Sequence, residues 1–331
     1  MKECLFCITD NCPLDCEHCF VEKINPNLKK EEYFEILKKV KDMGVEDLVL
    51  LGGEPTSLQY FYEILEYCLN TFNNVTVETN GVNKTEFIEY LKCNVSISFE
   101  YPDKKRNDSI RKFKSGKKSV FELALRKAQV LKNPKILRFT LYQDSDVFKS
   151  LVMADMYGCN SVFFPLIPLG KGEKMNKKCP NAKKIAEALE VIKEFNLKSK
   201  YHHELAIPQT YLYNTNLYLK FARVFSNRER ICQAGIRRIY VDTKGDLYPC
   251  PFVPIRIGNL LTDDITFIKE ELLKFNDKMA IKKLGFPCYE CFFKSICNGW
   301  CMAYHFNKEI KSQENCPANF LIKNYKGEVR Q

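Results

Sequence analysis

The stretch Cys12-Pro13-Leu14-Asp15-Cys16-Glu17-His18-Cys19-Phe20 sets three thiols in a CxxxCxxC spacing. Three thiolates on one compact loop can take three irons of a [4Fe-4S] cubane and leave the fourth iron open to a small molecule. The competing chemistry is a zinc loop with His18 as fourth ligand, although structural zinc wants four closed ligands, commonly paired as CxxC. A second set lies near the C-terminus. Cys232 is followed after twelve residues by Gly245 and after four more by Cys250, then come Cys288-x2-Cys291-x5-Cys297-x3-Cys301, and finally Cys316. The chain has 16 cysteines in 331 residues and no n-region and apolar h-region at its start, so a cytoplasmic, reducing location is expected. Clustered cysteines there read as metal ligands rather than disulfides.

The elements that must position these thiols come from an alternation of short β-branched runs and longer helical patterns. Strands are predicted near 3–9, 47–51, 74–78, 95–99, 136–142 and 161–166, and helices near 29–43, 57–72, 84–91, 119–132, 146–157 and 180–195. Six such units predict a parallel α/β sheet. A full eight-unit barrel needs about 250 residues, so a curled sheet here is a partial, TIM-like (β/α)6 barrel. The CxxxCxxC loop follows the first strand, at the carboxyl edge where parallel α/β folds build their sites. Residues 1–195 are read as this barrel, 196–230 as a bridging segment, 231–317 as a cysteine-rich domain and 318–331 as a tail. A hairpin is predicted over 238–241 and 247–248, with one helix near 264–275.

Other strand ends carry chemistry at the same edge. Gly52-Gly53-Glu54-Pro55 follows the second strand, where two glycines let backbone approach a ligand closely. The third strand ends in Glu78-Thr79-Asn80-Gly81 and the fourth in Ser96-Ile97-Ser98-Phe99-Glu100. Together with CxxxCxxC, these segments make roughly residues 3–195 resemble the radical S-adenosylmethionine (AdoMet) superfamily. The resemblance implies that Cys12, Cys16 and Cys19 hold a [4Fe-4S] cluster whose fourth iron is chelated by AdoMet. It implies that Gly52, Gly53, Glu54 and Pro55 meet the AdoMet amino group, and that the strand end with Ser98 and Glu100 meets the ribose. Ser119 would offer the N-terminus of its helix to the AdoMet carboxylate. His18 stands where the family usually has an aromatic residue.

The C-terminal cysteines resemble the SPASM extension of that superfamily over about residues 231–317. By that pattern Cys288, Cys291, Cys297 and Cys316 close around one auxiliary cluster, while Cys232, Cys250 and Cys301 hold another with three protein ligands. The implied cofactors are three [4Fe-4S] clusters and AdoMet. The stretch 225–231 contains no cysteine to close the second auxiliary cluster, so an open iron is expected there, with Cys179 as the competing ligand. Cys4 and Cys7 lie three apart on a strand, which points them to opposite faces as small core residues. Cys68, Cys93 and Cys159 read likewise. His202 and His203 read as solvated or core-satisfied rather than as acid–base groups.

The expected function is an oxidoreductase that cleaves AdoMet to a 5'-deoxyadenosyl radical, abstracts hydrogen from its substrate and works anaerobically. A ribosomally made peptide or protein is the first choice of substrate, modified by C–S or C–C bond formation. Tetrapyrrole side-chain decarboxylation is the alternative, through a loose likeness at Pro249–Phe252 and Ile257–Asn259. A different class would be an iron–sulfur electron carrier or a zinc-binding interaction module, but neither needs the GGEP segment or an open CxxxCxxC site. Pro251 follows Cys250 where sulfatase-maturing members have an Asp, which argues against that activity. The predicted first strand begins near residue 3 and leaves no room in this sequence for a leader-binding domain. Expected partners are therefore a peptide or small-molecule substrate, a reducing flavodoxin or ferredoxin, and a separate leader-binding protein. The net charge of +10 comes from 51 basic against 41 acidic residues spread along the chain, so nucleic acid is not expected. No apolar run is long enough to suggest a membrane span.

Overall fold

The computed structural model describes residues 1–21, 27–83, 92–116, 118–206, 232–280 and 301–303. Seven parallel strands run in chain order: β1 (Glu3–Thr9), β2 (Asp47–Gly52), β3 (Asn74–Thr79), β4 (Asn94–Phe99), β5 (Lys135–Leu141), β6 (Asn160–Pro165) and β7 (His203–Leu205). Beyond β1 the same sheet continues through β8 (Arg238–Val241), parallel to β1, then the antiparallel β9 (Asp246–Tyr248) and β10 (Gly258–Asn259). Among the described residues the ten strands follow the order β10-β9-β8-β1 through β7, and β7 and β10 do not pair, so the barrel they form is not closed. Two points differ from the sequence reading. A seventh parallel strand falls inside the expected bridge, and the C-terminal hairpin joins the barrel sheet instead of standing apart.

The connecting helices are α1 (Lys30–Asp42), α2 (Phe61–Thr71), α3 (Lys104–Ile110), α4 (Val120–Val130), α5 (Val147–Met156), α6 (Ala182–Asn196) and α7 (Ile265–Ala280). In α1 the buried residues Tyr33, Ile36, Leu37 and Val40 recur at the 3.6-residue period, so one stripe faces the sheet. Asp103, Ser119, Asp146 and Asn181 cap α3 to α6 by accepting from backbone N–H groups of the first turn. The predicted helix at 84–91 and most of the 196–230 bridge lie outside the described residues, as does the 318–331 tail.

Strand alternation separates two environments. Cys4, Phe6 and Ile8 of β1, Val75 and Val77 of β3, Val95, Ile97 and Phe99 of β4 and Leu137, Phe139 and Leu141 of β5 sit in one continuous core against the helices. Their neighbours Cys7, Glu78, Ser98, Arg138 and Thr140 project to the other face. Cys4 and Cys7 therefore belong to different clusters, Cys7 with Leu51 and Tyr240. Cys68, Cys93 and Cys159 are buried in the main core. His203 is buried, with Ser161 Oγ 2.8 Å from its Nδ1 and Ser199 Oγ 3.1 Å from its Nε2. His202 is exposed.

The most constrained contact is where β1 and β2 end. Gly53 N–H donates to Thr9 O at 2.7 Å, and Glu54 N–H to Asn11 O at 2.8 Å. A Cβ on Gly52 would lie 2.2 Å from Thr9 O, and one on Gly53 2.5 Å from Asn11 O. The glycines let two backbones meet, and the cysteine loop departs from that junction. Gly52→Ala is expected to cost on the order of 1–3 kcal/mol or more through overpacking against a carbonyl that cannot rotate away. Denaturant unfolding of the two proteins measures this; a loss under about 0.5 kcal/mol would mean the junction relaxes freely.

Candidate active site at the carboxyl edge of the sheet

The loop after β1 and the ends of β2 to β6 surround one pocket. Cys12, Cys16 and Cys19 form one wall, Gly52 and Gly53 the next, and Ser98 and Glu100 a third. The loop is held from three sides. The chain after α3 pairs with it, through Asp15 N–H to Lys112 O at 2.7 Å, Glu17 N–H to Ile110 O at 3.0 Å and an antiparallel bridge between Leu14 and Phe113. A 3-10 turn at Gly170–Lys178 crosses it, with Lys171 N–H donating to Cys19 O at 3.0 Å. The sulfur of Cys12 accepts from Leu14 N–H at 3.4 Å and from Asn80 Nδ2 at 3.6 Å.

The three thiols are electrostatic neighbours of one another. Burial raises the pKa of Cys12 and pushes Cys16 up to about 12, and each also feels the Arg111 guanidinium, which favours the thiolate. Three soft donors beside a fixed cation suit a group that binds thiolates and adds negative charge, which is what an iron–sulfur cubane with one open iron asks of a protein. Among the described residues no three His, Cys, Asp or Glu side chains could hold a metal ion together. A cubane takes its ligands on separate irons and does not need convergence on one point.

The remaining expected residues occupy more constrained places than their types suggested. Glu54 is fully buried and accepts from Thr56 Oγ1 at 2.6 Å, Thr79 Oγ1 at 2.8 Å and Asn80 N–H at 2.7 Å, which ties the end of β2 to β3. Burial raises its pKa against the pull of those hydrogen bonds. Pro55 is buried at the start of the following 3-10 turn. Glu100 is also occupied. Its Oε1 accepts from Arg111 Nε at 2.7 Å and lies 3.4 Å from His18 Nε2, and its Oε2 accepts from the Tyr142 hydroxyl at 2.7 Å. Ser119 is not in this pocket. It caps α4 and donates to Asp108 Oδ2 at 2.6 Å, and Asp108 Oδ1 also accepts from Phe121 N–H, so an internal carboxylate already occupies that helix N-terminus.

Arg111, Arg138 and Tyr142 went unnoticed in the sequence. Arg138 pairs with Glu78 and lies 4.2 Å over the Phe164 ring, which fixes a positive charge on the pocket wall. The period-2 pattern of β5 could have flagged Arg138 as a charge on the face opposite the core. Nothing local marks Arg111, which follows α3.

In the second cysteine set, Cys288, Cys291, Cys297 and Cys316 lie outside the described residues. Cys232, Cys250 and Cys301 do come together as electrostatic neighbours of one another. Burial pushes Cys250 up to about 12. Cys179 packs elsewhere, against the cluster of Tyr101, Ile110, Tyr142, Leu166 and Met175. Phe20, next to Cys19, meets Phe252, two residues after Cys250, edge to face at 5.0 Å.

Burial works against the charge of Glu100, but His18, Arg111 and Tyr142 outweigh it and hold its pKa below the usual carboxylate value. Its stabilising contribution is complete above the unfolded-state pKa of about 4.3 and lost as pH falls through the lower folded value. Glu100→Gln should therefore flatten the acid limb of the stability profile. At neutral pH it should cost about 3–5 kcal/mol by leaving Arg111 buried without its counter-charge. Denaturant titrations from pH 3 to 7 measure both effects, and an unchanged acid limb would show that Glu100 is not the titrating group.

Residues 6–140 match the radical SAM superfamily. Among curated proteins, AdoMet-dependent heme synthase of Methanosarcina barkeri is 24% identical over 315 residues, 88% of each chain. Mycofactocin maturase MftC of Mycolicibacterium smegmatis is 26% identical over 319 residues, 90% of this chain and 77% of the relative. Among solved structures, Streptococcus suis SuiB bound to S-adenosylmethionine superposes with a TM-score of 0.74 at 18% identity, over 95% of this chain and 75% of SuiB, and so shares the fold. The cysteine loop, the β1–β2 junction and the ends of β3 and β4 thus lie within the residues that match the radical SAM superfamily.

Proposed function

We propose that this chain is a radical AdoMet enzyme of the SPASM type that oxidatively modifies a ribosomally made peptide or protein. The observation that carries the reading is the mutual approach of Cys12, Cys16 and Cys19 in one pocket with an adjoining wall of Gly52, Gly53 and Arg138. When bound and reduced, the cluster supplies the electron that splits AdoMet into methionine and a 5'-deoxyadenosyl radical, which takes a hydrogen atom from the substrate.

The chain's own residues divide the tasks of this proposal among them. Cys12, Cys16 and Cys19 hold three irons, with Arg111 offsetting the thiolate charge and Asn80 donating to the Cys12 sulfur. Arg138, held by Glu78 and Phe164, presents a cation to the carboxylate of AdoMet, a task the sequence reading had given to the helix of Ser119. The backbone of Gly52 to Pro55 receives the amino group, while Glu54 keeps that segment rigid. Ser98 and Glu100 face the ribose, with Glu100 held in place by Arg111 and Tyr142. Cys232, Cys250 and Cys301 hold an auxiliary cluster with one open position, and Cys288, Cys291, Cys297 and Cys316 hold the third. The likeness to MftC over most of both chains supports a peptide substrate. The similar overall length and extent of the heme synthase match favour decarboxylation of a tetrapyrrole side chain as a second reading.

Anaerobically reconstituted protein given dithionite and AdoMet should make 5'-deoxyadenosine. Replacing Cys12, Cys16 and Cys19 together by Ala should abolish that product and lower bound iron by about four per chain, with the remaining iron retained. Continued 5'-deoxyadenosine formation by the triple variant would refute the assignment. Mass spectrometry separates the two substrate classes: a candidate peptide should lose two hydrogens only, whereas an iron porphyrin substrate would lose carbon dioxide together with two hydrogens for each side chain decarboxylated.

A further inference from the structure

A second groove is lined by Arg111, Lys112 and Phe113 of the segment that pairs with the cysteine loop, together with residues of α3 and α4. Five cations line it against two carboxylates, Asp108 and Glu122. Both carboxylates are already matched. Asp108 accepts from Ser119 Oγ and Phe121 N–H, and Glu122 accepts from Lys104 Nζ at 2.6 Å. Lys112 pairs with Glu17 at 2.7 Å, outside the groove lining. Among the described residues Lys118 and Arg126 have no ion-pair partner, and both are exposed. The groove therefore presents positive charge to solvent with nothing of its own to neutralise it.

The groove also stands close to the first thiol. Phe113 lines it and forms a β-bridge with Leu14, whose N–H donates to Cys12 Sγ at 3.4 Å. Arg111 lines both the groove and the cysteine pocket. From Phe113 in the groove wall to the sulfur there is one backbone bridge and one hydrogen bond.

We propose that this groove docks the acidic redox protein that delivers the electron to the cluster held by Cys12, Cys16 and Cys19. The proposal rests on the radical AdoMet reading above and adds to it where the reductant binds. In the transfer a reduced one-electron carrier is oxidised by one electron and the cluster is reduced from +2 to +1; no bond is made or broken. Positive charge at Lys118 and Arg126 steers an acidic carrier to the groove, an effect that raises association rates by about 10–10³-fold at low salt and fades as salt is added.

The test uses the reconstituted full chain, flavodoxin hydroquinone as the probe, and the variant Lys118→Glu/Arg126→Glu. Stopped-flow bleaching of the cluster absorbance should show reduction by flavodoxin slowed about tenfold or more at low ionic strength, with a flatter salt dependence than wild type. Reduction by dithionite, a small ion that needs no docking, should proceed at the wild-type rate, which also shows that the variant folds and holds its cluster. An unchanged flavodoxin rate overturns the proposal. So does an unchanged flavodoxin rate with a raised KM for a peptide substrate, which would reassign the groove to acidic substrate segments. If wild type treated with dithionite has no reducible cluster on Cys12, Cys16 and Cys19, the enzymatic reading itself fails, and that result is visible without the variant.

Discussion

The close approach of two backbones at Gly52 and Gly53 sets the rest of the site. Because no Cβ stands between them, the last carbonyl of β1 and those of Asp10 and Asn11 just after it lie against the end of β2, and the chain leaves β1 directly into the cysteine loop. The same junction delivers Glu54 into the interior, where three residues donate to its carboxylate and tie β2 to β3. A buried carboxylate without a cationic partner is tolerated only when hydrogen bonds replace its water. Three strand ends are thus locked together by one pair of glycines and one acid.

A second layer of charge surrounds the loop. Glu100 and Arg111 form a buried pair on the wall nearest Cys16, with Tyr142 and His18 completing the surroundings of the carboxylate. Such a pair contributes little net stability once desolvation is counted, but it fixes a guanidinium in place. That fixed charge lies within reach of two thiols whose burial disfavours their ionisation. Stability is spent here on electrostatic preparation of the loop.

The C-terminal hairpin adds to this arrangement by edge pairing. β8 lies in register beside β1, with Leu5 opposite Tyr240, so Cys232 and Cys250 are carried on the same sheet as the first cysteine loop. The Phe20–Phe252 contact then joins the two cysteine groups across the pocket mouth. A continuous sheet makes their separation a property of strand register rather than of a linker.

The parallel α/β class and the strand positions were legible in the sequence because hydrophobic period is a local signal, and the CxxxCxxC spacing by itself put Cys12, Cys16 and Cys19 on one loop. The opposite facing of Cys4 and Cys7 followed from the pleat alone. Tertiary structure decided what local signals cannot carry. Gly52 and Gly53 were read as letting backbone approach a ligand; the fold shows that their missing Cβ atoms also admit Thr9, Asp10 and Asn11, neighbours brought there by parallel pairing across some forty residues of sequence. Glu100 was read as a free acceptor, and Arg111 and Tyr142 reach it from two different elements. The helix N-terminus at Ser119 was assigned to the AdoMet carboxylate, and in the fold Asp108 of the neighbouring α3 accepts from Ser119 Oγ and Phe121 N–H there. A residue's type states which bonds it can make; only the packed chain determines which partners arrive first.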